Sequence, residues 1–223
     1  MNRHSSTAGA EQVPRLSARE LAYDSIRSGI LNGDFPPGGY VEEAVACELT
    51  GVSRSPVREA LNRLAAEGYV DLHRRRGAMV RAMSPAELRD LHEVRLMVET
   101  QAVIKICRER REIPDRLTAL CDAHEATPAT DHLSCLENNR QFHQAIVEAA
   151  GNTVLATVYE GLQAPLSRLA MLSLRKGFGK TEAIEHEHRA LVAALTEHDE
   201  ARALEIVHEH LSLMPQLARV LPG

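Results

Sequence analysis

Tryptophan is absent from the 223-residue chain, and aromatic residues make up only 3% of it. Proteins that bind single-stranded nucleic acid use aromatic rings as stacking platforms, so this scarcity argues against that class. No run of eighteen apolar residues occurs, and no membrane span is expected. The first fourteen residues, MNRHSSTAGAEQVP, lack the apolar stretch of a secretory signal and are expected to form a disordered tail. The four cysteines (Cys47, Cys107, Cys121 and Cys135) include no C-x-x-C pair. They fit reduced structural thiols in a cytoplasmic protein.

Charge is present but unevenly placed. The net charge of −5 would disfavour a DNA binder if it were uniform. Residues 1–82, however, hold 11 Arg against 10 acidic residues, and 54–81 alone hold seven Arg against three acids. A local positive surface is what docking on DNA requires. Histidine is skewed the other way, with nine of eleven after residue 91.

The first eighty residues carry clear helix signals. Ser17 and Glu20 in SARE form a capping box. The helix they open is expected to turn Leu21, Ile26 and Ile30 toward a core and to stop at Asn32-Gly33. After the FPPGG loop, a short helix is expected over about 42–50, ended by Gly51. A second should run over roughly 54–67, capped by Ser53 and terminated by Gly68, with Leu61, Leu64 and Ala65 inward. Pro56 is tolerable in its first turn, where backbone N–H groups have no intrahelical partner. YVDLHRRRGAMVRA then predicts two strands turning near Arg75–Gly77.

Two helices joined by a tight turn, then a hairpin, outline a winged helix-turn-helix domain over 15–82. Arg54 and Ser55 stand at the exposed start of its second helix, where a recognition helix meets base edges, and Arg58 lies one turn on. A guanidinium fork donates to guanine O6 and N7 together. Arg74, Arg75 and Arg76 on the wing are placed to reach backbone or minor groove, and Gly77 allows close approach.

Residues 35–80, with GVSRSPVREAL and the RGAMV wing, resemble the DNA-binding domain of GntR-superfamily transcription regulators. The resemblance implies DNA contacts at Arg54, Ser55, Arg58 and the wing around Arg74 to Gly77. Some members carry a further DNA-contacting arginine in the preceding helix, where this chain has Ala44. A different half-site preference is implied.

SPAEL at 84–88 opens the second half with another capping box, Ser84 with Glu87, and Pro85 at the first helical position. Six helical segments are expected over about 85–110, 115–126, 131–150, 153–175, 182–197 and 200–214, the fourth kinked at Pro165. The fold class is therefore mainly α, with a small β-hairpin wing and an all-helical six-helix bundle over 84–215.

Asn139 and His143, four apart, share a helix face. His188 lies in the apolar stripe of Ile184, Leu191 and Leu195 and should face inward, leaving His186 outward. Between His208 and His210 periodicity does not decide, because both border apolar residues. Inward histidines beside an amide suggest a transition-metal site, since imidazole is the commonest ligand for Zn, Ni or Co.

Residues 85–212 resemble the FCD effector domain of the FadR subfamily, the match resting on FHQAIVEAAGN and EHRALVAALTEHDEARALEIVHEHL. Metal-binding members carry Asp/Asn-x-x-x-His and two later histidines. The resemblance thus implies ligation by Asn139, His143, His188 and His210 of a divalent transition metal, Zn or Ni, and favours His210 over His208. A neutral amide oxygen is a weaker ligand than the aspartate many members have. Six segments rather than seven resemble the VanR-like branch. HEVRLMVE (92–99) resembles the first effector-domain helix, where Arg95 is placed either to pair an effector carboxylate or to pair Glu99 one turn on.

These observations predict a homodimeric, ligand-responsive regulator on a palindromic double-stranded DNA operator, with a small carboxylate effector completing the metal shell. Ligand would shift domain orientation and hence the spacing of the two wings. Both repression and activation are compatible with this. A metal-dependent hydrolase using the three histidines is the rival, weakened by the lack of H-E-x-x-H and of an obvious carboxylate base. A regulator with a metal-free helical half is the third reading.

Overall fold

A computed structural model describes residues 16–74, 76–178, 181–212 and 215–221. The expected N-terminal tail and Arg75 lie outside the described residues. Helix α1 (Ala18–Asn32) begins at the Ser17–Glu20 capping box and ends at Gly33, whose φ of 84° is the left-handed cap that favours glycine. Ile26 and Ile30 are buried, but Leu21 is 40% exposed. Five residues separate Leu21 from Ile26, which puts it about 140° round the helix.

The next elements are β1 (Tyr40–Val41), α2 (Glu43–Thr50), α3 (Arg54–Ala66), β2 (Val70–His73) and β3 (Gly77–Val80). The wing is more than the expected hairpin. β3 is central in an antiparallel sheet of order β1-β3-β2, with Tyr40 opposite Met79 and Asp71 also opposite Met79. The two-residue β1 is too short to show apolar alternation in sequence. Ser53 occupies the N-cap position of α3, yet among the described residues its side chain makes no capping hydrogen bond. The expected side-chain cap is corrected accordingly.

The second half comprises α4 (Pro85–Arg108), α5 (Arg116–Ala126), α6 (His132–Ala149), α7 (Thr153–Gly161), α8 (Gln163–Arg175), α9 (Thr181–Glu197), α10 (Glu200–His210) and α11 (Pro215–Val220). Six segments were expected; the fourth is two helices, and α11 is additional. The physical cause is Pro165. Its ring collides with the carbonyl four residues back in a continuous helix, and that residue, Gly161, is where α7 ends. Ser84 forms the expected capping box with Glu87.

One apolar core lies within the helical half, around Leu88, Ile106, Phe142, Ile146, Leu191 and Leu195. The other holds Ile26, Val41, Val57, Leu61, Leu64 and Val80 of the N-terminal half. Leu136 of α6 and Ala164 and Met171 of α8 belong to this second core as well. The halves are therefore joined by shared burial, not by the 81–84 linker alone. Among the described residues no helix is long and apolar enough to cross a membrane.

Candidate DNA interface and metal centre

Arg54, Ser55 and Arg58 are all exposed on the first turns of α3. Arg74 and Arg76 are exposed at the wing tip. Gly77 has φ of 87°, and a Cβ there would run into the carbonyl of Val41. Only glycine lets the wing close on β1 at this point. Helices α2 and α3 and the wing enclose a concave surface of about 900 Å³, lined by Glu43, Arg54, Arg58, Asn62, Arg74 and Arg76 among others. Arg58 donates from Nε to Glu43 Oε1 at 2.7 Å. Asn62 and Glu43 were not singled out in the sequence. Asn62 was legible there, because Arg54, Arg58 and Asn62 stand at i, i+4 and i+8 on one helical stripe.

In the helical half, α6, α9 and α10 bring His143, His188 and His210 together, with one nitrogen of each within 4.8 Å of the others. His186 and His208 point outward and are exposed. His143 and His188 are 1% and 2% exposed. Asn139, one turn before His143, is half-buried and lines the same cavity as His210.

The hydrogen bonds around the rings fix their chemistry. His143 Nδ1 lies 2.7 Å from Glu99 Oε2, while Glu99 Oε1 accepts from Arg95 Nε at 2.7 Å and from the Tyr159 hydroxyl at 2.7 Å. Burial disfavours the Glu99 charge, but His143 and Arg95 beside it outweigh that and hold it below the usual carboxylate range. Burial pushes His143 down to about 4, so the ring is neutral at pH 7. An ionised carboxylate only accepts, which assigns the proton to His143 Nδ1 and the lone pair to Nε2. His210 repeats the pattern: its Nδ1 lies 2.7 Å from Glu187 Oε2, and its hydrogen bond holds the Glu187 pKa down.

The other ring nitrogens, His143 Nε2 and His210 Nε2, lie 3.1 Å apart. Nearby, the buried Nε2 of His188 has no hydrogen-bond partner among the described residues. Three converging ring nitrogens, one of them orphaned, suit a shared cation, and carboxylates on the far ring nitrogens are the usual support for metal-bound histidine. The residues present fit a divalent transition ion. Glu99 and Glu187 were not recognised in sequence as supports for the histidines; Glu99 had been considered only as a partner of Arg95.

Arg95 makes that i, i+4 pair with Glu99, and it also lines the cavity beside the histidines. Burial works against its charge, but Glu99 and Tyr159 more than offset this, and its pKa is raised. The cavity measures about 450 Å³ and takes polar groups from α4 (His92, Arg95), α5 (His124), α6 (Asn139), α9 (Glu187), α10 (Glu209, His210) and α11 (Gln216).

Comparison with known proteins agrees with both halves. Residues 18–80 match the gntR family of bacterial regulatory proteins, and residues 90–213 match the FCD domain. The chain is 29% identical over 216 residues to the HTH-type transcriptional repressor GlaR of Escherichia coli (strain K12), covering 90% of this chain and 96% of that one. It is 26% identical over 195 residues to the uncharacterized HTH-type transcriptional regulator YdhC of Bacillus subtilis (strain 168), covering 85% and 86%. In fold it is similar to a crystal structure of a GntR regulator from Rhodococcus sp. RHA1, with TM-score 0.70, 19% identity, and 90% and 96% coverage. These families are regulators and not enzymes, which removes the hydrolase reading. The chain belongs to the GntR family of DNA-binding transcription regulators, with an FCD domain as its effector half.

Proposed function

We propose that this regulator works as a cytoplasmic homodimer on a palindromic operator, and that its effector is a small carboxylate bound at a metal ion in the helical half. His143, His188 and His210 would hold the ion, Zn or Ni, with Asn139 contributing its amide oxygen. Once bound, the ion supplies a positive centre with coordination positions open to a carboxylate oxygen. Glu99 and Glu187 orient His143 and His210 by accepting their Nδ1 protons, and Arg95 adds positive charge at the cavity wall. The observation that carries this reading is the convergence of the His143, His188 and His210 ring nitrogens, two of them 3.1 Å apart, beside the orphaned His188 Nε2.

At the other end, Arg54, Ser55 and Arg58 would meet base edges and phosphates, with Asn62 continuing the stripe. Arg74, Arg75, Arg76 and Gly77 would track the flanking backbone. Similarity to the E. coli repressor supports repression. Met97 on α4 and Val154 and Val158 on α7 are, among the described residues, the most exposed large apolar side chains of the helical half and would form the dimer contact.

The test is metal analysis of protein purified without chelators or affinity tags. His188→Ala should lose the ion and still bind DNA, while His186→Ala, on the outer side of the same helix, should keep it. Equal metal in the parent and in His188→Ala, or none in any of them, would overturn the assignment.

A further inference from the structure

The walls of the effector cavity differ in chemistry. Helices α4, α6, α9 and α10 present His92, Arg95, Asn139, Glu187, Glu209 and His210, whereas α8 presents Leu166, Leu169, Ala170 and Leu174, with Ser173 as the polar group of that wall. Phe178, just beyond α8, and Leu217 of α11 extend the apolar surface. A sugar acid or other polyhydroxylated acid whose body lay on α8 would strand the hydroxyls on that side against hydrocarbon. A volume of about 450 Å³ also exceeds what a carboxylate head alone fills. It amounts to roughly fifteen water volumes.

Helix α8 has a second, opposite duty. At 100° per residue, Ala164, Arg168, Met171 and Arg175 fall on one face, and Leu166, Leu169 and Ser173 on the other. Ala164 and Met171 are part of the DNA-binding half's own core. Arg168 donates to the carbonyl of Arg81 at the start of the linker, and the Arg175 guanidinium lies against Gly33 at the end of α1. Helix α1 in turn packs on the recognition helix α3. The surface an apolar ligand would press is thus the back of the surface that holds the DNA-binding half.

We infer that the effector is a carboxylate with an apolar body, and that this body, seated on α8, carries the signal to the DNA-binding half. The inference rests on the reading of the cavity as a carboxylate site. A signal needs interactions that differ between the two domain arrangements. Helix α8 packs on α1 with the face opposite the cavity, while α6, which carries Asn139 and His143, reaches the DNA-binding half only at its other turns, through Leu136 and the Glu137–Arg27 pair.

The test uses full-length, metal-loaded protein and three acids: acetate for the head alone, gluconate for a polyhydroxylated body and phenylacetate for an apolar one. By calorimetry phenylacetate should bind at least about tenfold more tightly than either of the others, the usual scale for burying apolar groups in a pocket. Leu169→Asn, at a half-buried position, should erase that preference. By fluorescence anisotropy on a DNA site selected by the protein from a random pool, phenylacetate should change DNA affinity, and saturating acetate should not. Arg175→Ala, exposed and outside the cavity, and Arg168→Gln should bind phenylacetate within about twofold of the parent. Both should transmit less than about half of the change in DNA affinity. Tighter gluconate binding, an undiminished preference in Leu169→Asn, or an equal response to saturating acetate would overturn the inference while leaving the carboxylate site intact. Full transmission in both arginine variants would overturn the α8 route. Binding of none of the three acids would instead remove the carboxylate site itself, and this inference with it.

Discussion

Arg58 of the recognition helix is bonded to Glu43 of the preceding helix, Nε to Oε1 at 2.7 Å. Both side chains lie on the concave face that holds Arg54 and the wing arginines. A phosphate or guanine that uses Arg58 has to displace this carboxylate, which also repels the DNA. Glu43→Gln should therefore raise affinity for all DNA sequences by about threefold to tenfold and steepen the salt dependence by roughly one counterion. Arg58→Ala should weaken operator binding about tenfold, and Arg54→Ala should in addition relax preference at one base pair. Anisotropy titrations across a salt series measure all three. A Glu43→Gln protein with unchanged affinity and salt slope would place this face away from the duplex.

The two serines at helix starts should behave differently. Ser84 accepts from the Glu87 N–H at 3.2 Å, and Glu87 returns the bond to the Ser84 N–H at 2.8 Å. Ser84→Ala should cost about 1 kcal/mol of stability. Ser53 makes no such bond among the described residues, so Ser53→Ala should stay within about 0.5 kcal/mol of the parent. Urea denaturation of the two variants checks this, and equal losses would mean that Ser53 does cap α3.

Asn139→Asp would place a negative charge beside the three histidines. The ion should be held more tightly, measurable as slower loss to a chelator. A carboxylate effector should bind more weakly, because the ion's charge is partly neutralised. If metal retention and acid affinity both stay at the parent's values, residue 139 lies outside the ion's shell.

Acid should destabilise the metal-free protein in a defined window. Burial pushes His143 down to about 4 in the fold, against about 6.5 in an unfolded chain. Burial also holds His188 well below its ordinary value and lowers His124. As pH falls from about 6.5 toward 4, the unfolded chain takes up protons that the folded protein refuses, so stability is full above the window and drains away through it. Thermal melts of chelator-treated protein between pH 7 and 5 should show a falling Tm, and His143→Gln should flatten part of the slope. A Tm that rises on acidification would contradict the neutral state of these rings.

Local rules recovered most of the elements and the inward histidines. Capping boxes, left-handed glycines and the 3.6-residue period act within one or two turns, so Ser17, Gly33, Ser84 and His188 were legible from their neighbours. The misses are contacts between elements. Glu99 and Glu187 look like ordinary helix-surface acids in sequence, and only packing of α4 on α6 and α9 on α10 turns them toward His143 and His210. His210 was separated from His208 by resemblance, since both border apolar residues. The break between α7 and α8 was misjudged as a kink, although Pro165 with Gly161 four residues earlier carries the steric reason for a stop.

The two-faced helix α8 bears on how such regulators can be recombined. In this chain a cut at 81–84 would strip Ile26 and its neighbours of Leu136, Ala164 and Met171 and leave an apolar patch on the excised half. A graft that takes residues 164, 168, 171 and 175 from the parent that supplies the DNA-binding half, and 166, 169 and 173 from the parent that supplies the helical half, divides the helix lengthwise. The module boundary in this fold runs along a helix axis as well as across the chain.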